Sequence, residues 1–370
     1  MSQSVAVPAE IEAFRSQFPV FERVSYLNAG TEGPVARATA AAVRERVEAE
    51  AVAGRCGRGY HDEVLGLAER LRSAYAGLLG CSPSQVALTG STTDGVNTVI
   101  GGLDLRPGDE ILTSDEEHPG LLAPLGRARL RHGVTVRTAP FAQLAEAVTS
   151  DTRLVACSHV SWVNGQVIDA PALKATGVPV LLDGAQGIGA VPVDVEQLGC
   201  AFYAASGQKW LCGPEGSGCL YVRSDCLDDL LIPWPGYGSL SDAQRALELP
   251  PADGAARFDH GFPAGVRSVY ALASLAVLER AGWEWVHTRA ATLADMLAQQ
   301  LADRGLEVRP RGHSTLVSWR VDDAPGEVQR LAEQGIVVRS IPAVGLVRAS
   351  VGAWTAEYEL ERLVELVARG

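Results

Sequence analysis

Two periods of hydrophobic spacing alternate along the chain and divide it into three stretches. From Pro34 to Gly80, Val43, Val47 and Val52, and after Asp62 Leu65, Leu67, Leu71 and Leu78, recur near helical spacing, which predicts helices ahead of any sheet. Between about residue 85 and residue 225 the pattern changes. Short apolar runs (VALTG, DEILTSDE, VTVRTAP, RLVACSHV, VPVLLDGAQ, CAFYAASG and GCLYVR) alternate with helix-like segments. Parallel strands need helical crossovers and are buried on both faces, so this alternation predicts an α/β layered domain with a largely parallel sheet. Beyond the Pro- and Gly-rich stretch LIPWPGYGSL come one long helical segment, from about Val269 to Arg304, and the strands LEVRP, STLVSWRV, IVVRSI and LVRASV. The closing segment TAEYELERLVELVAR is an amphipathic helix with Leu360, Leu363 and Val367 on one side, so a small α+β unit ends the chain. No internal repeat or low-complexity tract is present.

The 370 residues, 47% apolar and 21% charged, supply enough material for about two domains with sizeable cores. Acidic residues outnumber basic ones by 44 to 32, a net charge of −12, and a chain of that sign repels a phosphate backbone. Nucleic acid is therefore excluded as a partner. The seven cysteines are odd in number, scattered and without a C-x-x-C pair, so they spell neither a disulfide framework nor a zinc site; most read as small core residues in a reducing compartment. The N-terminal stretch carries Glu10, Glu12 and Arg15 before any long apolar run, unlike a secretory signal, and no run of about 18 uncharged apolar residues would cross a membrane. The expectation is a cytoplasmic protein with no membrane partner and no metal.

Ligands of α/β sheets sit outside the carboxyl ends of the strands, so the residues that follow each run are the first candidates. After VALTG comes Ser91-Thr92-Thr93-Asp94-Gly95, a hydroxyl-rich helix start whose free N–H groups suit a phosphate. After ILTSDE comes His118, after VLL come Asp183 and Gln186, and after FYAA come Ser206, Gln208 and Lys209. Each alone also fits an ordinary role: a helix N-cap, a histidine before Pro119, an Asx-turn, a surface lysine. Together they place a phosphate cradle, an acid, a stacking ring and a lysine at the strand ends of one sheet.

The stretch LLDGAQGIGAVPVDVEQLGCAFYAASGQKWLCGPEGSGCLYVR, with Asp183 and Lys209 separated by 26 positions in D-G-A-Q and S-x-x-K-x-x-x-G-P-x-G contexts, resembles the core of the fold-type I pyridoxal-phosphate (PLP) enzymes of the aminotransferase class V group. The resemblance runs from YLNAGTEGP to LVRASVG. It implies a mostly parallel seven-stranded sheet between helices, with residues 1–33 as an N-terminal arm reaching over the site, 34–260 as the large cofactor domain and 261–370 as a small α+β domain. It makes Lys209 the lysine bonded to the cofactor and the base, Asp183 the partner of the pyridine nitrogen, and His118 the stacking ring. Gln186 would bond the phenolic oxygen, and Ser91, Thr92, Thr93, Ser206 and Gln208 would surround the phosphate. Gln208 stands where relatives often have histidine, FDHGFPAG lacks the hydroxyl that relatives lend to the neighbouring subunit, and SHVSWVNGQ offers Trp162 and Asn164 near a position where many relatives place asparagine. The resemblance favours Arg348 as the anchor of the substrate α-carboxylate, with Arg339 and Asn28 as further contacts; taken alone, Arg339 equally suits a surface ion pair.

The segments TSDEEHPGLLAPL, SHVSWVNGQV, SGQKWLCGPEG and VVRSIP are most similar to the cystine C–S lyase and isopenicillin-N-epimerase-like branch, which is related to cysteine desulfurases. No cysteine follows Cys226, which speaks against a persulfide carried by the enzyme. The resemblance thus implies a PLP-dependent β-eliminating C–S lyase for a small amino-acid substrate, L-cystine or a cysteine S-conjugate, working as a homodimer with shared active sites to which PWPGYGSL is offered. Epimerisation, transamination or decarboxylation by the same site is the alternative.

Overall fold

A computed structural model describes residues 9–341 and 344–368; the start of the expected N-terminal arm and the last two residues lie outside them. A short helix α1 (Ala9–Arg15) and strand β1 (Ser25–Tyr26) lead into the long helices α2 (Arg37–Ala53) and α3 (Gly57–Leu79). Strands and helices then alternate: β2 (Val86–Thr89), α4 (Thr92–Gly102), β3 (Glu110–Ser114), α5 (Pro119–His132), β4 (Thr135–Ala139), β5 (Thr152–Ser158), α6 (Ala170–Ala175), β6 (Val180–Asp183), α7 (Val195–Leu198), β7 (Phe202–Ser206) and β8 (Gly218–Val222). They form the expected seven-stranded sheet, in the order β2-β8-β7-β6-β5-β3-β4, parallel except where β8 runs against β2 and β7.

The apolar character of these strands follows from burial on both faces. Leu112, Val155, Leu182 and Tyr203 point to one side and pack with Leu71, Leu79 and Leu275; their neighbours Ile111, Leu154, Leu181 and Phe202 point to the other and pack with Val96, Val99, Leu121 and Leu125. Gly95 lets α4 lie close on the sheet, since a Cβ there would stand 2.9 Å from that of Ala204.

The rest of the chain is α8 (Gly265–Ala281), α9 (Trp283–Asp303), β9 (Leu316–Arg320), α10 (Ala324–Glu333), β10 (Ile336–Val337), β11 (Arg339–Ile341), β12 (Leu346–Ser350) and α11 (Glu357–Val367). Strands β11, β12 and β9 form a three-stranded antiparallel sheet, with Arg339 directly opposite Arg348. N-terminal residues complete this unit: β1 pairs with β10, Asn28 bridges to Ser350, and the buried Arg15–Glu359 ion pair, 2.6 Å, fastens α1 to α11.

Three local expectations are corrected. The long C-terminal helix is two helices, because Gly282 takes φ +88° between them and interrupts the helical backbone. The run LEVRP is no strand; Val308 makes one isolated bridge to Trp319. The periodic Val47, Val52 and Leu65 are exposed, and α2 instead buries Thr39, whose hydroxyl meets that of Ser274 on α8.

Candidate active site

The parallel strands end at one edge of the sheet, and β5, β6 and β7 lie side by side there, so the segments following them converge. After β2, Ser91 caps α4 through its hydroxyl, which accepts from Asp94 N at 3.1 Å, while Asp94 itself accepts from Gly90 N. Ser91 thereby fills the N-cap role that its residue type favours. The first turn is joined to the end of β7: Ser206 Oγ accepts from Thr92 N at 3.0 Å and lies 2.5 Å from the Thr92 hydroxyl. Thr93 borders the next strand end, within 2.4 Å of where a Cβ on Gly120 would stand. Gln208 Oε1 is buried without a partner among the described residues.

Asp183 ends β6, fully enclosed, and accepts from Ala185 N at 2.9 Å. Burial pushes its carboxyl up, while the nearby Lys209 charge and the Ala185 hydrogen bond pull it back. Lys209 is pushed down to about 8, first by burial, opposed by Asp183 and reinforced by Arg348 and Arg339. A substantial fraction of its amine is therefore neutral near pH 7 to 8, as a nucleophile or base requires. Its turn is supported from above, where Gly33 N donates to Gln208 O and a Cβ on Gly33 would collide with Lys209 O.

His118 caps α5, its Nδ1 accepting from Gly120 N at 3.0 Å. Burial, with the charges of Lys209, Arg339 and Arg348, lowers it to about 4, so the ring is neutral at physiological pH. Gln186 donates through Nε2 to Gly30 O at 2.7 Å and accepts from Trp210 Nε1 at 2.9 Å, which leaves one amide hydrogen for another acceptor.

Residues that sequence reasoning did not single out surround this group. Glu117 is buried and accepts from Ser114 Oγ (2.5 Å), Ser158 N (3.0 Å) and Ser158 Oγ (2.6 Å), and burial drives it up to about 7. Glu116 accepts from Ser161 Oγ at 2.6 Å and from Asn164 Nδ2 at 2.8 Å. His159, whose N–H donates to Asp183 O, is lowered to about 4 by burial and its Nδ1 lies 3.0 Å from the Tyr203 hydroxyl. The only local signal for these groups was polarity at strand ends; apart from Ser114, their side-chain partners lie 41 to 48 positions away.

Above this floor, Arg348 is 1% exposed; its NH1 donates to Trp162 O at 2.5 Å, and Nε and NH2 have no partner among the described residues. Arg339 donates to Thr31 Oγ1 at 3.0 Å, and that hydroxyl donates to Asn28 Oδ1 at 2.7 Å. Neither arginine has a carboxylate within ion-pair distance among the described residues. Buried positive charge left without a counter-charge marks a place for an anion.

The family model for aminotransferase class V matches residues 26–363. A probable cysteine desulfurase of Methanothermobacter thermautotrophicus is 28% identical over 96% of each chain, and the isopenicillin N epimerase of Streptomyces clavuligerus is 32% identical over 60% of this chain and 59% of its own. The cystine C–S lyase C-DES, solved with its reaction product cysteine persulfide, superimposes with a TM-score of 0.88 at 30% identity, covering 95% of this chain and 99% of that one; a lysine-to-alanine mutant of C-DES with glycine covalently linked to its PLP cofactor gives 0.89, again at 30% identity, over 96% and 98%. With its sheet and its sequence in accord, the chain belongs to the aminotransferase class V family of PLP enzymes.

Proposed function

We propose that this protein is a PLP-dependent C–S lyase that cleaves L-cystine, or another cysteine S-conjugate, by β-elimination in the cytoplasm. The observation that carries the reading is the pair Arg339 and Arg348, in register on β11 and β12 and without carboxylate partners. One arginine suffices for an amino acid's α-carboxylate; a second suits a substrate with another carboxylate, as L-cystine has.

The residues present fit PLP. The Ser91, Thr92 and Thr93 hydroxyls at the start of α4, with the donor end of the Gln208 amide, suit the phosphate; buried Asp183 suits a protonated ring nitrogen; and Lys209, held at about 8, suits a covalent bond to an aldehyde. PLP bound there supplies a sink for the electrons left at the substrate Cα when its proton departs. The chain does the rest. Arg348 offers Nε and NH2 as a fork for the α-carboxylate and so orients the Cα–H bond. Neutral Lys209 would take the Cα proton, and Asp183 would keep the pyridine nitrogen protonated. Neutral His118 would cover the ring face without adding a competing charge. The leaving group departs from Cβ with the C–S bonding pair, so that L-cystine and water give pyruvate, ammonia and cysteine persulfide. A disulfide sulfur leaves more readily than the hydrosulfide of free cysteine, which favours conjugates over cysteine.

A desulfurase route needs an accessible thiol to receive sulfur. Cys157, Cys200, Cys212 and Cys219 are buried and burial raises their thiols; Cys56, at the turn before α3, is the exposed one among the described residues. Mass spectrometry after turnover tests the reading: sulfur recovered as a small-molecule persulfide supports it, and one added sulfur on a protein cysteine, formed at the turnover rate, overturns it. We also propose a homodimer, since Trp234 and Tyr237 of PWPGYGSL and Phe262 of FDHGFPAG are exposed on segments expected at the neighbour's site. Sedimentation at micromolar concentration should give twice the chain mass; an active monomer would contradict it.

A further inference from the structure

Trp162 stands where the cofactor side of the site meets the arginine side. Its carbonyl accepts from Arg348 NH1 at 2.5 Å, its indole meets the His118 ring edge-on, 5.0 Å between centroids at 87°, and Arg339 lies over the same indole at 5.9 Å. The segment that carries it is bolted down on either side. Glu117 takes the N–H and hydroxyl of Ser158 at the end of β5, and Glu116 takes the hydroxyl of Ser161 and the amide of Asn164, which in turn accepts from Gln166 N. Glu116 and Glu117 immediately precede His118, so the two glutamates hold the histidine's loop and the tryptophan's loop together.

The bond from NH1 to the Trp162 carbonyl fixes the plane of the Arg348 guanidinium and leaves Nε and NH2 free. A carboxylate captured by those two groups must pull on that bond. The segment cannot yield freely because four hydrogen bonds to Glu116 and Glu117, from Ser158, Ser161 and Asn164, restrain it. The indole is under no such restraint, since its Nε1 has no hydrogen-bond partner among the described residues, and it packs T-shaped against the His118 ring. We propose that Trp162 is a positioning residue that couples carboxylate capture at Arg348 to the orientation of the His118 ring. This rests on the PLP reading of the site.

The test uses PLP-loaded protein and propionate, a carboxylate without an amine, and reads the circular dichroism and absorbance of the bound cofactor together with its rate of release. In the wild type, propionate shifts the cofactor spectrum and slows release. In Trp162→Ala the shift falls about fivefold or more, the lower end of ordinary coupling between sites. Trp162→Phe, which keeps an aromatic edge at the same place, restores most of it, and Glu116→Ala, which frees Ser161 and Asn164 while leaving the indole, falls in between. A purely structural role would instead lower the unfolding temperature with the response to propionate intact. The coupling is overturned by a wild type indifferent to propionate, by Trp162→Ala responding like the wild type, or by Trp162→Phe failing as fully as Trp162→Ala. Wild-type protein that takes up no PLP would overturn the site reading itself, a result distinct from those three.

Discussion

Arg339 and Arg348 are direct partners across β11 and β12, two positive side chains opposed where a sheet ordinarily avoids like charges, and no carboxylate among the described residues offsets either one. Burial, reinforced by repulsion from Arg339, lowers Arg348 to about 9. Such an arrangement costs stability in the free protein and is useful only when an anion arrives.

Replacing Arg348 should therefore separate stability from function. Arg348→Met removes a buried charge that has no counter-ion, and ligand-free protein should gain about 1–4 kcal/mol in urea unfolding, while kcat/KM for L-cystine falls at least about a hundredfold. Arg339→Gln should chiefly raise KM for L-cystine and leave S-methyl-L-cysteine, which lacks the second carboxylate, little changed. Equal losses on both substrates would remove the argument for a two-carboxylate substrate.

The amine of Lys209 sets the pH at which PLP can be attached. Because burial lowers it from 10.5 to about 8, the rate at which cofactor-free protein recombines with PLP should climb about tenfold per pH unit below 8 and flatten above it. Stopped-flow absorbance measures this directly; a rate still climbing between pH 9 and 10 would mean that the lysine is not desolvated. Lys209→Ala should bind PLP reversibly and show no turnover.

Glu117 and His159 respond to acid in opposite senses. The Glu117 carboxyl, at about 7 when folded against 4.5 in the open chain, takes up its proton first in the folded state, so falling pH between 7 and 4.5 stabilises the fold. His159, at about 4 against 6.5, takes up its proton first in the unfolded chain, so falling pH between 6.5 and 4 destabilises it. The two offset each other in the wild type. Glu117→Gln removes the carboxyl's part, and between pH 7 and 4.5 it should lose about 3 kcal/mol relative to the wild type in urea titrations. Parallel curves for the two proteins would show that Glu117 is ionised near its open-chain value.

Much of the sheet was legible because burial on both faces writes an unbroken apolar run at each strand, and the chemistry-bearing residues follow those runs directly, as Asp183 follows VLL and Lys209 follows FYAAS. The clamp of Glu116 and Glu117 was not legible. A glutamate beside a histidine reads as a solvated charge, and only the pairing of β3 with β5 brings Ser158 to it. Trp162 lay in a segment weighed for another role; its link to Arg348 runs through a main-chain carbonyl, which carries no side-chain signature, and its ring contact with His118 exists only once the two loops are brought together. The exposed face of α2 misled for a related reason, because helical periodicity gives a face without saying which partner covers it. Gly282 was a visible break within an otherwise continuous helical pattern, where glycine alone does not decide between a tolerated interior position and a boundary.

The most direct measurement is the carbon product of PLP-loaded protein supplied with L-cystine. β-Elimination predicts pyruvate and ammonia in equal amounts, with one cysteine persulfide per pyruvate and no alanine. Alanine in place of pyruvate, or an inverted α-carbon with the sulfur retained, would contradict the account and assign this site to desulfuration or to epimerisation.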